Sequence, residues 1–153
     1  MRPRTIAVVS LTTAVTVAAL MSPAAPTQLK AGGKVKVRIV GVNNGKEVTN
    51  GGVAGRGHFT ATGAITEAGT VVGYRTVKGS LLTRKALITV RFVTVGKKGT
   101  ITFVVKADVK PTGTTSRWTI ASGTKTYKGL HGSGAEREND DHTLAILTGT
   151  VSR

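Results

Sequence analysis

The chain has 153 residues, with 22 basic against seven acidic side chains and a formal net charge of +15. It has no cysteine, four prolines and only six aromatic residues: one tryptophan, two tyrosines and three phenylalanines. This composition excludes a disulfide framework and thiolate chemistry, and leaves little material for aromatic platforms that stack sugars or bases.

Arg2 and Arg4 precede an apolar run over 6–21, broken only by Ser10, Thr12, Thr13 and Thr16; Ser22-Pro23-Ala24 follows. A positive start, an apolar centre and a small-residue site predict a secretory signal peptide over 1–24, cleaved after Ala24. The apolar run is shorter than the ~20 residues that span a bilayer. The expected product is therefore secreted, extracellular or held in the cell envelope, with no membrane span after cleavage. Without Arg2 and Arg4 it carries 20 basic and seven acidic residues, a net +13. Residues 25–33 read as a flexible lead-in, and 34–153 as one domain.

Residues 34–42 alternate, with Val35, Val37 and Ile39 on one face and Lys36, Arg38 and Val40 on the other, as in a half-buried strand. Asn43-Asn44-Gly45-Lys46 is a hairpin signal, because Asn and Gly accept positive φ. The glycine-rich stretch 49–57 reads as a loop and 58–62 as a short strand. After a connection over 63–69, strand character resumes over 70–79 around Tyr74. The clearest strand is 86–95, with Ile88, Val90 and Phe92 opposite Leu87, Thr89, Arg91 and Val93. Gly96-Lys97-Lys98-Gly99 turns it into 100–108, where Ile101, Phe103 and Val105 share a face, so the two should form a hairpin.

Lys110-Pro111-Thr112-Gly113 is a further turn, with proline where its fixed φ fits. A strand over 117–122 buries Trp118 and Ile120. Residues 136–142 read as a polar loop, and 143–151 as the last strand, with Leu144 and Ile146 against Ala145 and Leu147. Abundant threonine and valine favour strands, and no helical period is visible in the domain. Short strands at even spacing predict an all-β antiparallel sandwich or barrel.

Between the last two of these strands lies the most distinctive run: Gly123, Thr124, Tyr127, Gly129, Gly132 and Gly134, in the order Gly-Thr-x-x-Tyr-x-Gly-x-x-Gly-x-Gly. It resembles an element of secreted bacterial barrels similar to allene oxide cyclase and the plant dirigent proteins. Thr148-Gly149-Thr150-Val151 is similar to the closing strand of that family. The resemblance implies a single eight-stranded, antiparallel, calycin-like barrel, often with an internal cavity. The glycines suit a bend or the close approach of another backbone. The motif is read as structural, and no catalytic role is carried through it.

Candidate chemistry is sparse. Glu136, Glu138, Asp140, Asp141 and His142 form the one acidic cluster, but lack the spacing of a calcium loop. His58, His131 and His142 make no paired zinc motif, and no serine sits in a nucleophile elbow. No metal and no cofactor is expected. Tyr74, Arg75 and Arg91 lie on expected strands; pointing inward they could polarise a ligand oxygen, while the simpler arrangement packs Tyr74 in the core and leaves the arginines in solvent.

The spread of lysines and arginines, Lys36, Arg38, Lys97 and Lys98 among them, attracts anionic polymers or a cell-envelope surface, without the aromatic interleaving of specific nucleic-acid readout. The leading expectation is a secreted, non-catalytic barrel that binds anionic surfaces or ligands through its basic exterior. The alternative is a barrel like allene oxide cyclase or the dirigent proteins, acting on an apolar small molecule in its cavity. The interior separates the two: a filled core favours the first, a cavity with converging Tyr, Arg or Glu side chains the second.

Overall fold

A computed structural model describes residues 32–43 and 51–153. The expected signal peptide and the Asn44-Gly45-Lys46 turn lie outside the described residues. Eight strands follow one another: β1 Gly33–Val40, β2 Val53–Gly63, β3 Glu67–Ser80, β4 Lys85–Gly96, β5 Gly99–Lys110, β6 Gly113–Gly123, β7 His131–Glu138 and β8 Leu144–Ser152. Each pairs antiparallel with the next, and β8 returns to β1, so the sheet closes into a barrel without a free edge. One 3₁₀ turn, Lys125–Tyr127, interrupts the path from β6 to β7.

Alternation decides which side chains fill the barrel. Val35, Val37 and Ile39 of β1 are buried, as are Val90 and Phe92 of β4, Ile101, Phe103 and Val105 of β5, and Trp118 of β6. The two turns expected between β4, β5 and β6 close on the Gly96–Gly99 and Lys110–Gly113 pairs. On β8 it is Ala145 and Leu147 that are buried, while Thr148 and Thr150 face out.

Two expectations need correction. The glycine-rich stretch 49–57 is not all loop: β2 begins at Val53, and Gly55 and Gly57 pair with Gly73 and Val71. A side chain at Gly57 would collide with the Val40 carbonyl, so glycine lets β1 come close there. Residues 136–142 are not all loop either. β7 runs through Glu138, and its inward positions are Gly132, Gly134, Glu136 and Glu138, which leave no apolar alternation to find.

The glycines of β7 and β8 seat the tryptophan. Trp118 pairs with Gly134, and Gly134 with Gly149. A Cβ on Gly149 would lie 2.8 Å from the indole Cζ2, and one on Gly134 would strike the Thr148 carbonyl oxygen. The indole occupies this slot and donates from Nε1 to the Thr148 carbonyl at 3.1 Å. Phe103 meets it edge-on, with ring centroids 5.7 Å apart.

Candidate functional site

The barrel is packed at one end and open at the other. Its closed end carries the β2–β3, β4–β5 and β6–β7 connections, where Ile65, Tyr127 and Leu130 are buried. Here the Gly-Thr-x-x-Tyr motif has a structural task. The Thr124 hydroxyl accepts from the Thr100 N–H at 3.0 Å, and the Tyr127 hydroxyl donates to Glu67 at 3.1 Å. Above this plug Phe59, Phe92, Phe103 and Trp118 fill the interior.

Toward the other end the inward side chains shrink. Val90 faces Val105, Ile88 faces Ala107 and Ala86 faces Val109, with Thr114 and Ser116 beside them on β6. The result is a cavity of about 800 Å³, walled by Ile88, Val90, Val105, Ala107 and Val109 and open at the rim. This lies within the usual range for small-molecule sites. It is the direct product of placing aromatic residues in one half of the strands and small ones in the other.

The polar lining comes from two sides. Arg75 enters from β3, while Ser116, Glu136 and Glu138 enter from β6 and β7. Arg75 and Glu136 are both buried. Burial, first, and the neighbouring Glu138 carboxylate push the Glu136 carboxyl up to about 7, against the opposing pull of Ser116 and His142. Oε1 of Glu136 is buried without a hydrogen-bond partner among the described residues. Glu138 lies nearer the rim, where its Oε2 is 2.7 Å from His142 Nδ1. A carboxyl that keeps its proton near neutral pH can donate to a ligand oxygen, or deliver that proton in an acid–base step.

Of the three residues expected as cavity candidates, only Arg75 points inward. Tyr74 and Arg91 are a cross-strand pair on the outside of β3 and β4, with the guanidinium 4.7 Å from the ring centroid. Alternation requires this: Val71, Gly73 and Arg75 take the inner face, which puts Tyr74 on the other. The arrangement with Tyr74 in the core and both arginines in solvent also fails, because Arg75 is buried.

The acidic loop is a self-contained turn. Asp141 Oδ1 accepts from the Thr143 hydroxyl at 2.7 Å and from its N–H at 3.2 Å, and these bonds hold its carboxyl below the usual range. Among the described residues no three His, Asp or Glu side chains are arranged to hold a metal. Glu136 was hidden in the sequence because it sits among charged neighbours. The i, i+2 recurrence of Gly132, Gly134, Glu136 and Glu138 was the available signal.

The basic candidates divide. Lys36 and Arg38 are exposed on the outer face of β1. Lys98 is not a projecting charge: its Nζ donates to the Thr66 carbonyl at 3.0 Å and its N–H to Glu67 at 2.8 Å. Lys97 stays exposed beside it at the closed end. No family model and no curated protein matches this chain.

Proposed function

We propose that the chain is a secreted, calycin-like barrel, similar to the allene oxide cyclase and dirigent barrels, that binds a small and mainly apolar molecule at its open end. One observation carries this reading: the interior is filled by aromatics in one half and left as a cavity in the other, with Arg75 and Glu136 brought to the same space. The valine, isoleucine and alanine walls supply apolar contact. The polar pole on β3 and β7 orients a single oxygen-bearing end of the ligand. Protonated Glu136 donates to that end, and acid–base chemistry there needs no further residue type.

The test is thermal unfolding against a panel of apolar compounds bearing one carbonyl or hydroxyl. A ligand at about 100 times its Kd adds about 2.7 kcal/mol to stability, which raises Tm by several degrees. The effect should be insensitive to salt. Ala107→Phe fills the cavity without entering the packed half, and should abolish the response while the protein stays folded. Equal responses from wild type and Ala107→Phe would place the ligand elsewhere and reject the reading.

A further inference from the structure

β1 carries Lys34, Lys36 and Arg38 in succession on its outer face, about 7 Å apart along the strand. Register sets threonines on both sides. Lys36 lies between Thr62 and Thr148, Lys34 is paired with Thr150, and Arg38 with Thr60. A shallow groove of about 530 Å³ covers the Lys34–Lys36 end of the row, lined by Lys34, Lys36, Thr62, Thr148 and Thr150, with Arg38 and Thr60 beyond it.

Among the described residues these three cations have no counter-ion. No hydrogen bond or ion pair engages their side chains among the described residues, and the outer faces of β8, β1 and β2 carry no acidic residue. Arg56 on β2 adds to the same field. Two cations elsewhere are engaged: Lys110 pairs with Asp108 at 2.8 Å, and Lys98 is held by the Thr66 carbonyl. Like charges repeated along one strand repel one another, so the row favours any ligand that brings negative charge at the same interval.

We propose that this face binds an extended polyol-phosphate polymer, one strand wide, laid along β1, since its outer side chains include no phenylalanine, tyrosine or tryptophan on which bases could stack. The cations neutralise successive phosphates. The threonine hydroxyls on both flanks donate to the non-bridging oxygens, which a tetrahedral phosphate presents on more than one side. A carboxylate holds its acceptor oxygens in one plane and so reaches both threonine flanks less readily than a tetrahedral phosphate.

The experiment measures binding of the intact protein to poly(glycerol phosphate) and to a single-stranded oligodeoxynucleotide at 0.15 M salt, with a polyuronate as comparison. Lys34→Gln/Lys36→Gln/Arg38→Gln should weaken phosphodiester binding by about ten-fold or more and flatten its salt dependence. Arg84→Gln/Lys85→Gln/Lys128→Gln removes the same charge from scattered positions, and should weaken binding by less than about two-fold if the row rather than the net charge acts. Amide chemical shifts of the unaltered protein give an independent check, and should move at β1, Thr60, Thr62, Thr148 and Thr150. Tighter binding of poly(glycerol phosphate) than of the oligodeoxynucleotide is the expected result, and the reverse order overturns the choice of occupant. Equal losses in the two triple variants, shifts scattered around the barrel, or polyuronate binding as tight as phosphodiester each overturn the proposal.

Discussion

The Tyr127 hydroxyl donates to Oε2 of Glu67 at 3.1 Å, across sixty positions of sequence. That carboxylate also accepts from the Lys98 N–H at 2.8 Å and the Ala68 N–H at 3.2 Å. One side chain thus ties the start of β3 to the β4–β5 turn and to the 3₁₀ turn after β6. Burial pushes the Glu67 carboxyl up, but the donors outweigh it and hold the group below its usual range. A carboxyl depressed in the folded state adds stability above its unfolded value, and loses it as pH falls through the folded value. Tyr127→Phe should cost about 1–2 kcal/mol at neutral pH, with the difference from wild type shrinking on acidification. Urea unfolding across pH measures this. A deficit that grows in acid would refute the role given to the pair.

The motif glycines make a second, sharper prediction. Gly134 faces Gly149 under the Trp118 indole, where a methyl group would strike backbone. Gly129 has φ +76° with nothing within 4 Å of an added Cβ. Gly129→Ala should therefore cost only the left-handed penalty, about 1–2 kcal/mol. Gly134→Ala should cost clearly more, because strand separation or displacement of the indole has to follow. Near-ultraviolet circular dichroism should show a weakened tryptophan signal in Gly134→Ala alone. Equal destabilisation by the two variants would mean that the slot is not what demands glycine.

Much of the barrel was legible because its packed half obeys period two. The faces of β1, β4 and β5 follow directly from Val35-Val37-Ile39, Ile88-Val90-Phe92 and Ile101-Phe103-Val105. The site was not legible, for the converse reason. A cavity is made of small side chains and a few polar ones, so β7 has no apolar period and reads as a turn followed by a polar loop. Tyr74 drew attention by its chemistry, yet parity along β3 gives the inner face to Arg75. Lys97-Lys98 reads as a charged tip, and only the fold shows Thr66 and Glu67 waiting for Lys98.

The outer placement of Tyr74 and Arg91 gives a third prediction. The pair stacks on the surface, where such contacts contribute about 0.5–1 kcal/mol. Tyr74→Phe and Arg91→Leu should each leave the cavity's response to apolar ligands unchanged, and shift stability by no more than about 1 kcal/mol. Thermal unfolding with and without ligand reads both quantities. Loss of the ligand response in either variant would contradict the assignment of the site to the barrel's open end.

The last prediction concerns the proton on Glu136. A free glutamate loses its proton near pH ~4.3, whereas in the fold burial and Glu138 keep it on Glu136 up to about 7. Between these values the folded protein holds a proton that the unfolded chain has released. Stability must then fall as pH rises through this window, and stay lower above it. Glu136→Gln keeps the size and the neutral donor but cannot ionise. It should match wild type near pH 4 and gain on it up to pH 7, by an amount on the order of 2 kcal/mol, since solvent still reaches part of the group and screens it. Carbon NMR should show the Glu136 carboxyl titrating near neutrality. Ligand binding follows the same proton. If protonated Glu136 donates to the ligand's oxygen, affinity in wild type should drop above pH 7, while Glu136→Gln binds with little pH dependence. A wild-type protein whose stability rises from pH 4 to 7 relative to Glu136→Gln would show that the carboxyl is ionised and paired in the fold, and would remove the donor on which the orientation of the ligand depends.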